Sequence, residues 1–350
     1  MRTNIKIMRR LSFIGLIIFP IILFAQNTSQ IVEKPKESYA FGQIYTDFHY
    51  TLNDNYQPKA AFDFNQGIIG FRHQFDDKLS AIIIYDVTRT TNFYAISDSV
   101  GNPMNYNYFE GSKYTAYLKM AEIKWKMSEL FTFRVGQLLN TQYLTFQDKF
   151  WGYRYVDVTY QEKFRLGMPA DFGAQLDYTW KNKLVNQFSV VNGEGPFRHQ
   201  DMNGKFIFSN NIQYSPTEKL TLKLYIDYGP TGDTGAAFAD KSVISGFAGY
   251  KFDHFRIGGE YTYVFNYGYQ NGTDYYGFSI YTGVILTEKF QAMGRWDHLD
   301  LKTNESTAGT NYYIIGFQYE PVKPFTTALT FRYFSEGDIP FIYASFGLKF

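Results

Sequence analysis

The fold that this sequence predicts is an all-β, antiparallel, up-and-down barrel of about 16 strands that spans a membrane. Three observations predict it. Apolar and polar residues alternate with period two over segments of about 11 to 15 residues, longer than an average strand. Short joins between these segments alternate with generally longer ones. Aromatic residues make up 20% of the 350-residue chain, enough for the aromatic girdles of an outer-membrane barrel.

The alternation is clearest in the stretch KLTLKLYIDYG, residues 219–229. Leu222 and Leu224 fall on one side of an extended chain, whereas Lys223 and Asp227 fall on the other. Strict alternation over such a length indicates a strand with two unlike faces, one for lipid and one for a wet interior.

Sixteen segments of this kind follow residue 39, and we predict a strand for each. In the second segment the alternation is blurred, and in the fourth it changes phase near 120–122, which indicates a β-bulge. The predicted strands are 40–52, 59–75, 78–90, 112–126, 129–140, 166–180, 182–193, 203–215, 218–229, 240–252, 254–266, 273–287, 288–299, 309–321, 324–335 and 339–350.

The joins between these strands fix the topology. Seven short turns alternate with eight joins that are generally longer, as in a meander with short periplasmic turns and longer extracellular loops. Both termini then lie on the short-turn side. A secreted all-β adhesin or sandwich is the alternative, but its outer faces would be charged, whereas these apolar faces end in Tyr, Phe and Trp.

Three segments divide the chain. Residues 1–25 have the layout of a secretory signal peptide, with four basic residues, the apolar run LSFIGLIIFPIILFA and a cleavage expected after Ala25. An N-terminal membrane anchor is the alternative for this run. Residues 26–39 are polar and predict a periplasmic N-terminal tail, and residues 40–350 form the predicted barrel.

The composition excludes several classes of function. The net charge of +1 leaves no electrostatic footprint for nucleic acid, and the absence of cysteine excludes disulfides and a catalytic thiol. His199 in RHQD and His298 in RWDHLD stand beside acidic residues, but ordinary loop and strand-end chemistry explains both. We therefore predict no enzyme, no cofactor and no metal site, with an outer-membrane hydrolase as the alternative.

One long join, 141–165, is rich in both aromatic and charged residues. In water it would expose a large apolar patch, so we predict that it folds into the barrel mouth as a constriction loop. A cap packed on neighbouring loops, with no gating role, is the alternative. The predicted pore-lining residues are Lys149, Arg154 and Arg165 of this loop and Arg134, Arg256, Arg295, Arg332, Asp177 and Glu260 on inward-facing strand positions.

These charges are of mixed sign, with a small basic excess among the inward-facing positions. Rings of like charge give a channel its ion selectivity, so a mixed set predicts at most a weak preference for anions. For any single charge, pairing with a neighbouring strand is the competing role. Sixteen strands leave an aqueous channel unless a domain plugs it, and the sequence has no further segment of that size.

Four features resemble a known family: FRVGQ (133–137), ADFGAQLDYTW (170–180), FSVVNGEG (188–195) and the terminal Phe350. Together they are similar to the phosphate- and polyphosphate-selective porins and their Bacteroidetes relatives. The resemblance implies a 16-stranded outer-membrane barrel, and it implies that Phe350 belongs to the signal read by the barrel-assembly machinery. Anion-selective members carry an arginine ladder and a lysine cluster in the lumen, whereas the arginines here are scattered among acidic residues.

The expected function is therefore that of a porin in the Gram-negative cell outer membrane, through which small polar or anionic solutes, phosphate among them, diffuse passively. A structural or adhesive barrel without an open pore is the alternative. The expected partners are outer-membrane lipid and lipopolysaccharide, the barrel-assembly machinery and two further copies in a homotrimer. No nucleic acid is expected.

Overall fold

A computed structural model describes residues 37–97, 103–144, 146–198 and 204–350. The predicted signal peptide lies outside the described residues, as does the predicted tail up to residue 36. The described residues form one closed barrel of 16 antiparallel strands, in which sequence neighbours pair and the first strand pairs with the last. This is the predicted fold.

The strands are β1 Glu37–Thr51, β2 Ala60–Gln74, β3 Leu79–Ser97, β4 Pro103–Lys126, β5 Phe131–Leu139, β6 Ala170–Trp180, β7 Leu184–Val191, β8 Ile207–Tyr214, β9 Leu220–Gly229, β10 Lys241–Lys251, β11 Phe255–Phe265, β12 Asp274–Ile285, β13 Phe290–Lys302, β14 Thr307–Val322, β15 Phe325–Phe334 and β16 Ile339–Lys349. Two short helices, α1 (Phe146–Trp151) and α2 (Tyr160–Lys163), lie between β5 and β6. None of the helices in the described part of the chain is long and apolar enough to cross a membrane.

The two faces of each strand differ as the alternation predicts. In β9, Leu222 and Leu224 point outward and are exposed, whereas Thr221, Lys223 and Tyr225 point inward and are buried. The outward set along the barrel is apolar, and rings such as the stacked Phe252 and Phe255 lie at its short-turn rim. An outer face of this composition is stable against lipid rather than water.

Two bulges explain the irregular alternation. In β2, Asn65 is the extra residue between the pairs Tyr45–Gln66 and Thr46–Phe64. In β4, Lys119 is the extra residue opposite β3, so the inward phase changes between 119 and 120. Each bulge places two neighbouring side chains on the inner face, which is why strict period two fails there.

Most strand boundaries lie within four residues of the prediction, and two of the differences have a clear cause in strand pairing. The join predicted at 91–111 is largely strand, because β3 and β4 stay paired from Leu79–Trp125 to Ser97–Pro103 and form a long hairpin. β1 begins at Glu37, three residues before the predicted start, because Glu37 pairs with Gln74 of β2. A neighbouring strand can extend a strand by pairing with it. This is a tertiary effect that the hydropathy pattern of the segment itself does not report.

The connections define two ends of the barrel. At the short-turn end, seven short turns join the strands, β1 begins and β16 ends. There Gly42 and Phe350 exchange backbone hydrogen bonds of 2.7 and 3.0 Å across the closing seam. The other end, the long-loop end, carries the join between β5 and β6, which is the longest connection among the described residues.

Candidate functional site: a loop inside the barrel

Residues 140–169, here called the interior loop, leave β5 at the long-loop end and run down inside the barrel. Arg256, the second residue of β11 from the short-turn end, donates a 2.8 Å hydrogen bond to the carbonyl of Trp151. The loop then returns, and the carbonyl of Arg165 accepts from Tyr267 at the long-loop end. The loop therefore spans most of the height of the lumen.

Aromatic side chains fix the interior loop to one half of the wall. Phe150, Trp151 and Tyr153 are each at most 3% exposed. Phe150 packs against Phe247 of β10, Trp151 packs against Tyr281 of β12, and Tyr153 packs against Trp151. Burying each ring contributes roughly 1.5–3 kcal/mol relative to leaving it in water. This is the packing expected of an aromatic-rich join that folds into the barrel instead of exposing an apolar patch.

Inward-facing glycines make room for these rings. A Cβ atom at Gly249 of β10 would lie 2.6 Å from the ring of Phe150, and one at Gly283 of β12 would lie 2.5 Å from the hydroxyl oxygen of Tyr153. Both distances are shorter than any normal carbon contact, so only glycine lets the loop approach the wall this closely. The wall is shaped to receive the loop.

Lys223 of β9 is a polar anchor for the loop. Its ammonium group is buried and donates to the carbonyls of Thr141 and Gln142 and to the side chain of Gln147, at 2.6–2.7 Å. Three oxygen acceptors match the three donors of an ammonium group. The geometry holds the first turn of the loop against the wall.

A second group of anchors lies on β11, β13 and β14. Glu260 accepts a 2.6 Å hydrogen bond from Gln161, and Arg295 donates to the carbonyl of Val158 while pairing with Asp297. Asp157 of the loop pairs with Lys163 at 2.9 Å and accepts from Tyr312 at 2.6 Å. Burial opposes ionisation of Asp157, but Lys163 and the nearby arginines hold the pKa of this carboxyl well below its usual range.

Arg154 links the loop to itself and to the opposite wall. Its guanidinium pairs with Asp148 at 2.8 Å and, through two nitrogens, with Glu162 at 2.6 and 2.7 Å, and it contacts Gln66 of β2 at 3.3 Å. We call these four residues the Arg154 cluster. Burial opposes ionisation of Glu162, yet the adjacent Arg154 holds the pKa of Glu162 below its usual range.

Two cavities lie on either side of the interior loop. The short-turn cavity, of about 370 Å³, lies between the loop and the β1–β5 wall and is lined by Lys119, Lys149, Arg154 and Lys349 among others. The long-loop cavity, of about 410 Å³, lies between the loop ends and β5–β10. Leu139 borders both. The loop thus divides the space inside the barrel.

Comparison with known proteins identifies the family. The family model described as "Putative beta-barrel porin-2, OmpL-like" matches residues 153–345, more than half of the chain. The chain belongs to this family. It is therefore a porin-type outer-membrane barrel. The resemblance noted in the sequence implied the same general class of protein. No curated protein sequence matches the chain.

Solved porin structures share the fold of this family member. A high-pH structure of Pseudomonas putida OprB has a TM-score of 0.65 at 8% identity, covering 89% of this chain and 94% of that one. The anion-selective porin from Comamonas acidovorans has a TM-score of 0.61 at 10% identity, covering 90% of this chain and 100% of that one. The trimer form of Vibrio cholerae OmpT, described as an outer membrane protein, has a TM-score of 0.60 at 10% identity, covering 91% of this chain and 100% of that one.

The residues predicted to line the pore are not gathered into one ring. Arg134 pairs across both neighbouring strands of this porin barrel, with Glu122 at 2.9 Å and with Asp177 at 2.7 Å. Arg332 bonds Ser345 and lies over the ring of Tyr343 at 3.6 Å. Arg134 fits the competing interpretation, in which a charge pairs with a charge on the next strand, whereas Arg332 contacts a hydroxyl and a ring.

The remaining predicted residues fall in two places. Arg256, Arg295 and Glu260 bind the interior loop instead of a neighbouring strand, a role that the alternation did not indicate. Lys149 lines the short-turn cavity and Arg165 the long-loop cavity. The sequence analysis did not single out the glycines of the wall, although glycine on the inward phase of a strand was a visible signal.

His298, one of the two histidines considered for a hydrolase, has ordinary polar contacts. His298 contacts Asp300 at 3.2 Å and Asn311 at 3.0 Å on the outward phase of β13, an ordinary polar strand end. His199 and Asp201 lie outside the described residues.

Proposed function

We propose that this porin-family barrel lets small polar solutes diffuse passively across the outer membrane, with a weak preference for anions. The observation that carries the proposal is the short-turn cavity, a space of about 370 Å³ left between the interior loop and the β1–β5 wall and lined by charged side chains. In this proposal the interior loop is the constriction, and the short turns face the periplasm.

The charge around the short-turn cavity supports the preference for anions. Lys149 and Lys349 are exposed to this space and make no ion pair within the described part of the chain. The acids nearby are already engaged, since Asp86 pairs with Lys119 and Asp148 pairs with Arg154. A passing ion therefore meets a net positive field.

Phosphate is one anion that this pore would admit, but we propose no dedicated phosphate site. Selective binding of phosphate needs several free donors that converge on one point. The wall arginines Arg134, Arg256, Arg295 and Arg332 each have protein partners. The field of the two lysines favours anions in general.

The test is a planar-bilayer recording of purified, folded protein. We expect discrete conductance steps and, in a salt gradient, a reversal potential on the anion side. The double variant Lys149→Glu, Lys349→Glu should move selectivity toward cations by at least about tenfold, because each unit charge acts on an ion in the wet lumen with about 0.5–1 kcal/mol and each reversal changes the charge by two units. Lys181→Glu, in an exposed turn, is the matched control and should change nothing.

Two results would contradict the proposal. Unchanged selectivity in the double variant would remove the role assigned to the two lysines. If the folded barrel gives no conductance steps, the protein is a closed structural barrel and not a diffusion channel. The folded state is checked independently by gel electrophoresis in SDS without heating, because an intact barrel resists SDS and migrates differently from the unfolded chain.

We also propose that Phe350 serves assembly and not permeation. Its ring is 69% exposed on the lipid side and lies against Gly42, where a Cβ would be 2.6 Å away. Deleting Phe350 should lower the amount of folded barrel in the outer membrane roughly tenfold, because the terminal aromatic contacts both the membrane and the closing strand. Single channels of the molecules that do fold should keep their conductance.

The control for this variant is Phe350→Tyr, which keeps an aromatic ring at the end of the chain. It should assemble at nearly the normal level. If the deletion assembles normally, or if it alters conductance as strongly as yield, Phe350 is a structural part of the pore instead.

A further inference from the structure

We propose that Asp47, His49 and Asp63 form a binding site for a divalent transition-metal cation of the Zn²⁺ type on the inner wall of the barrel. Asp47 of β1 and Asp63 of β2 are directly opposite in the strand register, and His49 follows two residues later on the same inward face. One ligand atom from each of the three lies within 4.8 Å of the others. The site is outside both cavities described above.

Unsatisfied polar atoms point to a missing partner at this place. His49 is 7% exposed, and neither ring nitrogen makes an aligned hydrogen bond, although Nδ1 lies 2.7 Å from Oδ2 of Asp63. Asp47 is 3% exposed, and its Oδ1 has no hydrogen-bond partner. Buried polar atoms in proteins are almost always paired, so three such atoms together need an explanation. One cation bound to Oδ1 of Asp47 and to one ring nitrogen of His49 would satisfy two of them.

The surroundings hold the candidate ligands in place. Asn65, the bulged residue of β2, donates to Oδ2 of Asp47 at 2.7 Å and leaves Oδ1 free to bind. The imidazole of His49 packs against the rings of Phe341 and Tyr343, each with its centroid at 5.6 Å. Groups of this kind orient metal ligands in proteins and raise metal affinity.

The donor set selects the class of cation. One imidazole nitrogen and two carboxylates suit Zn²⁺ and its first-row neighbours, whereas Ca²⁺ and Mg²⁺ favour oxygen donors alone. Zinc binds such atoms at about 2.0–2.2 Å, so two ligands of one ion lie at most about 4.3 Å apart. Small side-chain rotations would bring the ligand atoms, which now lie within 4.8 Å of one another, into this range. The remaining coordination positions are left for water or solute.

One charged group opposes the binding of a cation. Arg332 of β15 acts electrostatically on Asp47 and carries a permanent positive charge. Its charge partly balances the two carboxylates without any metal. An ion network alone is therefore the alternative, and it differs from the proposal in a measurable way, because such a network binds no Zn²⁺.

The experiment uses tag-free, folded, metal-depleted protein in detergent, titrated with Zn²⁺ alone by calorimetry and by equilibrium dialysis. We expect one tightly bound Zn²⁺ per chain. His49→Ala should lower the affinity at least tenfold. The matched control is His298→Ala, which removes the other described histidine that contacts a carboxylate, and it should leave the affinity unchanged.

Asp63→Asn serves as a second variant in case His49→Ala does not fold, and it should also lower the affinity at least tenfold. A hundredfold excess of Ca²⁺ should compete poorly. If the unmodified protein binds no Zn²⁺, the three residues are an ion network only. If both variants bind Zn²⁺ as well as the unmodified protein, the metal sits elsewhere and the proposal is wrong.

Discussion

Excising the interior loop is expected to raise the single-channel conductance by a factor of about three to ten, because a 16-stranded barrel without an interior segment encloses a wide aqueous channel. The ends of the loop are suited to the change. The backbone nitrogen of Asn140 donates to the carbonyl of Pro169 at 3.0 Å, so β5 and β6 are still paired where the loop begins. A short hairpin turn can replace residues 142–166.

The excised barrel should remain folded, because each strand keeps both of its neighbours. Lys223 loses its acceptors on Gln142 and Gln147, and Arg256 loses its acceptor on Trp151, but water replaces the loop and solvates both charges. Shortening the join at 231–239, which leaves the interior untouched, is the control and should not alter conductance. An unchanged conductance after excision would mean that another segment sets the barrier.

The barrel could be predicted from the sequence because the information is local. Alternation within each strand, as in β9, reports which side chains face lipid, and the turns report the topology. The bulges at Asn65 and Lys119 disturb that alternation locally and so were visible too. The long β3–β4 hairpin was not, because strand pairing outside the apolar band leaves no change in hydropathy pattern.

The site could be predicted only in outline. The aromatic content of 141–165 indicated a place inside the barrel, and the structure puts those rings there. Its partners could not be predicted, because Lys223 and Arg295 bind loop carbonyls, and a carbonyl has no side-chain signature. Alternation says that a charge points inward, but it does not say whether a strand, a loop or water receives it.

Replacing Arg154 by alanine is expected to loosen the interior loop. Arg154 is mostly buried, and its removal leaves Asp148 and Glu162 as like charges without their shared cation. Breaking a buried ion pair from one side costs about 3–5 kcal/mol, and access of lumen water reduces this to roughly 2–3 kcal/mol here. Loop amides should then exchange with solvent at least tenfold faster, since 1.4 kcal/mol corresponds to a factor of ten.

Hydrogen exchange of the 146–163 segment measures the effect, and single-channel recordings should show added current noise. Arg134→Ala is the matched control, because it also breaks two ion pairs, to Glu122 and Asp177, but within the wall. It should leave exchange of the loop unchanged. The triple variant Arg154→Ala, Asp148→Asn, Glu162→Gln removes the cluster's charges together and should restore most of the protection.

Acid should weaken the contact between Arg154 and Glu162, and the direction of this effect follows from the lowered pKa of Glu162. Because Arg154 holds the pKa of Glu162 below the value of a free carboxyl, the pair stabilises the docked loop above about pH 4. This stability is lost as the pH falls through the lowered pKa and Glu162 takes up a proton. The loop amides of the unmodified protein should therefore lose protection in acid, measured as the exchange rate relative to the intrinsic rate at the same pH, whereas Arg154→Ala should already have low protection at neutral pH. If both proteins respond to acid alike, the Arg154 cluster is not what holds the loop.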